Sequence, residues 1–343
     1  MAVVKIGVIF GTLLGLFSFM TWVERRSLAF MQFRLGPNRT GPMGLFQPIA
    51  DGIKLFFKEE IIPEGTSRWA FVAAPAVAIA TAVTAIAVIP YGPPFTVPSL
   101  GFLPTWLQGQ QITLQIAALD AGVLFTYACG SLGVYGIVLA GWASNNKFSL
   151  IGGLRSAAQL FSYELSLGLS WAGIFMTAGS FRLEKIVAMQ HSGLFSWNLA
   201  LHPVAFLVYL VAATAEANRT PFDLPEAEQE LVAGFNTEYG SMKFALIQMA
   251  EYLNMITVSV LCAIMFLGGW HSPVPGLLDG HFLLGLMWLW LKVGALLFSF
   301  IWLRGTLPRL RYDQLMSFGW KVLLPVVTVN VMVTAVLVVR GIL

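Results

Sequence analysis

Eight long apolar runs pattern the chain, near residues 3–23, 70–89, 116–141, 157–178, 200–217, 244–270, 282–303 and 320–339. A helix needs about 20 apolar residues to cross a hydrocarbon core of roughly 30 Å. The expected fold is therefore all-α: a polytopic transmembrane helix bundle of about eight spans, read as one membrane domain over residues 1–343. Glu24-Arg25-Arg26 follows the first run where a cleaved signal peptide would carry small residues. That run reads as a retained helix. In the first loop, Phe46, Ile49, Ile53 and Phe56 or Phe57 fall at helical spacing, with Asp51, Lys54 and Lys58 elsewhere on the turn. The pattern predicts an amphipathic helix lying at the membrane interface.

Composition agrees with that class and excludes several others. Hydrophobic residues make up 57% and charged residues 11% of the 343 positions, whereas soluble domains carry roughly 25% charged residues. Cys129 and Cys262 both sit in apolar runs, which leaves no disulfide framework and no thiolate cluster. The four histidines lack zinc-type spacing, and no Walker loop or GxGxxG motif is present. Metal, flavin and nucleotide sites are not expected on this chain, and a net charge of +3 does not suggest nucleic acid. The charge is unevenly placed. Loops 24–69, 142–156, 218–243 and 304–319 hold 14 of the 20 basic residues, while the alternate loops hold only Arg182 and Lys185. By the positive-inside rule the basic, odd-numbered loops face the cytoplasm and both termini face the periplasm.

Acidic residues inside apolar runs are the candidate chemistry. Glu164 in "AQLFSYELSLGLSW" and Glu251 in "FALIQMAEYLNMITVSV" fall within predicted spans, and Glu216 closes the fifth. A carboxylate at that depth costs at least ~2.5 kcal/mol on insertion scales. Such acids either glue helices through hydrogen bonds or form a proton or ion path. Carboxylates set near one another hold raised, coupled pKa values, which lets them carry protons without a permanent buried charge. Lys292, deep in the seventh run, is expected either to counter a carboxylate or to snorkel.

The stretch "AEANRTPFDLPEAEQELVAGFNTEY" adds Asp223, Glu226, Glu228, Glu230 and Glu238 directly after Glu216. Asp223 and Glu226, with Pro225 between them, resemble a capped helix start in which acids complement the dipole. Glu226 and Glu230 share a helical face that Glu228 does not, so one solvated stripe does not account for all of them. An acidic funnel leading to Glu216 is the alternative. In the first loop, "GPNRTGP" combines Gly36, Pro37, Gly41 and Pro42, which predicts tight turns and close backbone approach.

Four blocks, "GPNRTGPMGLFQPIADGIKLFFKE", "LAGWASNNKFSLIGGLRSAAQLFSYE", "AEANRTPFDLPEAEQELVAGFNTEY" and "RYDQLMSFGWKVLLP", occur in an order similar to that of a known family. From about Glu24 to Pro325 the chain resembles the quinone-site membrane subunit, the H subunit, of the proton-translocating NADH:quinone oxidoreductase, respiratory complex I. The resemblance implies an integral subunit of the bacterial inner membrane with no redox centre of its own. Ubiquinone or menaquinone is the implied substrate, and iron-sulfur clusters, FMN and NADH belong to partner subunits. Implied partners are the hydrophilic-arm subunits around the terminal cluster, the small neighbouring membrane subunits, and lipid. Carried over by motif, Arg25, Arg34 and Asp51 line the quinone tunnel or its mouth. Glu164, Glu216, Asp223, Glu226, Glu228, Glu230, Glu238 and Glu251 serve the proton path and its coupling. The third run departs from the family pattern at Ala118-Leu119-Asp120, so no role is carried over to Asp120. Rival readings are the paralogous membrane subunit of an energy-converting hydrogenase and a stand-alone cation transporter. The long first loop disfavours the former, and the lack of inverted repeats disfavours the latter.

Overall fold

The computed structural model describes residues 2–96, 109–225, 228–274 and 281–342, with side chains omitted at Ala2, Glu228 and Gln229. Its helices are α1 Ala2–Met31, α2 Gln47–Phe57, α3 Arg68–Ile86, α4 Gly122–Ala143, α5 Lys147–Ala178, α6 Leu183–Met189 and α7 Asn198–Leu201. They continue as α8 Pro203–Glu216, α9 Glu228–Leu231, α10 Ser241–Phe266, α11 Phe282–Thr306, α12 Tyr312–Phe318 and α13 Leu324–Val339. A π-helical turn at Gly319–Leu323 joins the last two into one continuous rod. Among the described residues, the only strands are Phe95–Thr96 and Gln111–Ile112, which pair antiparallel with Phe95 opposite Ile112. The all-α expectation holds.

Each expected span contains a helix, but several differ in extent: the first runs on to Met31, so Glu24, Arg25 and Arg26 are helical and not in the loop, and the last starts at Tyr312. Six helical segments are long and apolar enough to cross a membrane: Val3–Met31, α3, α4, α10, α11 and Tyr312–Val339. The third begins at Gly122 and not at 116, because Ile116 and Ala117 donate their backbone N–H groups to Ala87 O at the end of α3. The fourth starts ten residues before 157, at Lys147, where the Asn146 side chain accepts from Phe148 N at 3.0 Å. That is an N-cap. Its 32 residues extend about 48 Å at 1.5 Å per residue, and Ser162, Glu164, Ser166 and Ser170 make its middle too polar to join the six. The fifth, α8, has only 14 residues, or about 21 Å.

Close backbone packing holds α3, α4 and α5 together. A Cβ on Gly136 would lie 2.9 Å from Ala78 N, one on Gly141 2.6 Å from Ser149 O, and one on Gly152 2.9 Å from Gly234 Cα. Membrane helices associate through such small-residue contacts because lipid offers apolar side chains no less favourable a surface. α10 forms the axis, with Met255 to Phe266 buried without a break. α13 lies outside and leaves Val329, Met332, Val333 and Val336 exposed. Lys292, 7% exposed, neither counters a carboxylate nor snorkels. Its ammonium donates to the carbonyls of Leu267, Gly269 and His271 at 2.6, 2.9 and 2.7 Å and stands over the Trp197 ring at 4.1 Å. It thus caps the C-terminus of α10, where carbonyls lack helical partners and the dipole favours a cation.

Candidate functional site

Glu164 of α5, Glu216 at the end of α8 and Glu251 of α10 line a single narrow cavity, together with Asn218 and Asn254. The space open to water centres is about 50 Å³, enough for a few waters at roughly 10–15 Å³ each and too little for a ring. Two glycines of α4, Gly130 and Gly133, form the opposite wall. A Cβ on Gly130 would come within 3.3 Å of Glu216 Oε1. Ser131 donates to the Glu164 carboxylate, while Tyr127 donates its hydroxyl to the Glu164 carbonyl at 2.8 Å. Glu216 Oε2 is enclosed with no hydrogen-bond partner among the described residues. The three acids scattered over 88 residues of sequence thus converge on one wet-sized void.

A second cavity, about 590 Å³, opens between α1, α2, α10 and the end of α11. Arg25 and Asp51 stand on its wall and pair at 2.5 Å, and Gln47 donates to the other Asp51 oxygen at 3.0 Å. Ser18, Thr21, Gln248, Tyr252 and Arg304 supply further polar groups, with Phe17 and Phe244 as apolar lining. This is the mixture expected of a pocket that takes a mostly apolar ligand and orients it by a few polar contacts. Arg34 is not on that wall: it lies exposed in the turn after α1. The first loop owes its shape to glycines. Gly41 and Gly44 have φ of 75° and 74°, and Arg26 ties the loop to α1 by donating to Met43 O at 2.7 Å. A Cβ on Gly41 would strike the Phe46 ring, and one on Gly44 would strike the Pro37 carbonyl. α2 follows as the expected amphipathic helix, with Ile49, Ile53, Phe56 and Phe57 exposed.

Between the two cavities lies a buried ionic knot that sequence reasoning misses. Glu24, 4% exposed, accepts from Tyr252 Oη at 2.6 Å and from Arg304, and lies 3.5 Å from Arg219 Nη1. The Arg219 guanidinium also covers the Tyr252 ring at 4.3 Å. Burial opposes the Arg219 charge, but the Glu24 carboxylate, with Tyr252 and Glu251 behind it, holds its pKa above the ordinary arginine value. In the sequence Glu24 marks only the end of the first run. Its signal is an acid inside the continuous helical register of that run, one residue before Arg25. Gln159 is a second residue the sequence does not single out. Fully buried in α5, it donates to Ala215 O at 2.7 Å and Phe222 O at 2.8 Å, which fastens the turn that follows Glu216.

Asp223, Glu230 and Glu238 do not line the cavity. Glu230 pairs with Arg155 at 2.8 Å, and Glu238 accepts from Asn146 Nδ2 at 2.8 Å. Both therefore tie the loop to the N-terminal extension of α5. Asp223 is half-buried and followed by a turn at Leu224 and Pro225, and the expected capped start runs on into residues outside those described. The described part of α9 is Glu228–Leu231, and Glu226 lies outside the described residues. Asp120, 90% exposed, pairs with Arg182 at 3.0 Å. Among the described residues no cluster of three or more His, Cys, Asp or Glu side chains could hold a metal ion.

A family model described as NADH dehydrogenase matches residues 4–335. The second NADH-quinone oxidoreductase H subunit of Koribacter versatilis is 47% identical over 349 residues, covering 98% of this chain and 96% of the relative. The first H subunit of the same enzyme from Geobacter sulfurreducens is 50% identical, covering 98% and 94%, respectively. The corresponding H subunit from Thermomicrobium roseum is 49% identical, with 98% and 95% covered. A match over nearly the whole length of each relative, together with the polytopic helical fold, places the chain in the H-subunit family of NADH-quinone oxidoreductase.

Proposed function

We propose that the chain forms much of the quinone-binding tunnel of its complex and links quinone reduction to proton translocation through buried carboxylates. Family membership makes it a membrane subunit of NADH-quinone oxidoreductase, so the substrate of the wider cavity is a quinone. The electrons come from partner subunits. The observation that carries the proposal is the pairing of neighbours on α10: Tyr252 lines the wide cavity while Glu251, one residue before it, lines the narrow one.

Quinone reduction to quinol takes up two protons, and a charged intermediate at Arg25, Asp51 and Tyr252 would act at short range on Glu24 and Arg219. That ionic knot sits in a low-dielectric interior where charges interact strongly. Changing its balance shifts the proton affinity of Glu251 and, through the shared cavity, of Glu216 and Glu164. The loop acids Glu230 and Glu238 latch the loop to α5, and Asp223, Glu226 and Glu228 serve the coupling. The odd-numbered loops face the cytoplasm and dock the hydrophilic arm, and the whole chain acts as one domain in the bacterial inner membrane.

The test is isosteric replacement in assembled complexes. Glu216→Gln and Glu228→Gln are each expected to lower quinone reduction and proton pumping together. Normal turnover with normal pumping in both variants would refute the coupling.

A further inference from the structure

The turn that follows α8 joins the two sites within a few residues. Glu216, the last residue of α8, and Asn218 line the narrow cavity, whereas Arg219 belongs to the ionic knot, 3.5 Å from Glu24 Oε1 with its guanidinium over the Tyr252 ring. A movement of Arg219 therefore reaches Glu216 along a very short stretch of backbone, provided the turn does not absorb it. One side chain ties that turn at both ends. Gln159, fully buried in α5, donates from Nε2 to Ala215 O at 2.7 Å and to Phe222 O at 2.8 Å, and the same nitrogen lies 3.5 Å from Asn218 Oδ1. Phe222 is held a second time. Its ring packs on Tyr163 at 5.5 Å, and Tyr163 stands one turn beyond Gln159 on the same face of α5, next to Glu164.

The residue type suits this task. A primary amide places two N–H donors on one nitrogen, one for each carbonyl, and carries no charge that would bias the proton affinity of Glu216. Asparagine would fall one methylene short. The arrangement has a visible cost, because Gln159 Oε1 is enclosed with no hydrogen-bond partner among the described residues. The two carbonyls do not need Gln159 to be satisfied: Ala215 O also accepts from Asn218 N at 3.3 Å, and Phe222 O from Leu224 N at 3.0 Å. What the amide adds is the fastening of one end of the turn to the other. We infer that Gln159 is a positioning residue for the redox-coupled proton step: it stiffens the 215–222 turn, so that a displacement of Arg219 in the knot carries Asn218 and Glu216 with it. Working groups need supporting hydrogen bonds of this kind, since a loosely held group drifts out of productive geometry. The inference rests on the proposed coupling and names the part that transmits it. Gln159 lines neither cavity, so removing its donors leaves the quinone groups and every titratable group in place.

The test compares wild type, Gln159→Met, Gln159→Asn and Glu216→Gln as whole complexes in proteoliposomes. Methionine keeps the unbranched length and removes both donors. Two quantities are read: protons translocated per electron, and hydrogen exchange of the segment 214–223 in the assembled complex by mass spectrometry. In the wild type, Arg219 N donates to Thr214 O at 3.3 Å and Phe222 N to Arg219 O at 2.9 Å, so both amides report on the turn. Gln159→Met is expected to speed their exchange at least threefold and to lower the proton-to-electron ratio at least twofold, with quinone reduction within twofold of wild type. Gln159→Asn, which keeps the amide but reaches at most one carbonyl, should fall between the two. Faster exchange with an unchanged ratio would overturn the inference by making Gln159 a structural residue only, and unchanged exchange would overturn it as well. If Gln159→Met fails to assemble, the same two readings on Gln159→Asn decide the matter. A defective Glu216→Gln beside a wild-type ratio in the Gln159 variants refutes the positioning role alone, whereas normal turnover and pumping in Glu216→Gln refutes the coupling on which it rests.

Discussion

The two cavities beside α10 differ in nearly every physical respect although neighbouring residues of one helix line them. The wide one is about 590 Å³, carries an Arg25–Asp51 pair that is half open to solvent, and is framed by an amphipathic helix and a glycine-built loop. The narrow one has room for a few waters, three carboxylates and a wall of glycines. The first has the volume for a ring and the second only for a few waters. On the proposed function the contrast means that substrate and proton need not meet: the Glu24, Arg219, Arg304 and Tyr252 knot stands between the two voids and would let charge act across it.

That division can be broken or sharpened by substitution. The largest effect is expected from Glu216→Gln, which removes the titratable group at the centre of the narrow cavity. Quinone reduction in membranes should fall at least tenfold, about 1.4 kcal/mol or more in barrier height, with complex content unchanged on immunoblots. Arg219→Met comes next: it removes one of the two guanidiniums that offset the buried Glu24 charge while Arg304 keeps the other, so the loss of stability should stay below the about 3–5 kcal/mol of a fully broken buried pair. It should appear as loss of assembled complex on heating in detergent, well before any kinetic comparison is possible. Asp51→Asn should be milder, since the Arg25–Asp51 pair is 54% and 31% exposed and such pairs contribute up to about 1 kcal/mol. A rise of up to about fivefold in KM for a short-chain quinone, with little change in kcat, would assign Asp51 to binding in the wide cavity. The smallest effect is expected from Glu230→Gln, whose partner Arg155 is a surface contact. Pumping should stay within twofold of wild type, and a drop as large as that of Glu216→Gln would place Glu230 on the proton route after all.

The fold was legible because apolar runs of membrane length leave little choice of structure. Six of the eight runs form helices both long and apolar enough to span, and the exceptions have visible reasons. α5 trades hydrophobicity for serines and a glutamate that face neighbouring helices. α8 is short because Pro203 sets its start and the turn fastened by Gln159 sets its end. The convergence of Glu164, Glu216 and Glu251 could be suspected from their depth, but not their adjacency, since that depends on which helices pack together. The missed pairing has one cause. Glu24 and Arg219 stand in the sequence beside charged loops, where charge is ordinary. Burial comes from α10 and α11, far along the chain from Glu24, and no local pattern encodes it. Lys292 shows the converse: a lone base in an apolar run suggested a carboxylate partner, whereas three backbone carbonyls at the end of another helix serve it.

The shortness of α8 has a mechanical consequence. With only 14 residues, about 21 Å of rise against a core of roughly 30 Å, this helix is too short to cross a full core, and its length sets where its last residue, Glu216, stands beside Glu164 and Glu251. Helix length here acts as a ruler. Adding a single turn of four alanines before Glu216 would displace the carboxylate by about 6 Å and take it out of line with Glu164 and Glu251, without altering any group that titrates.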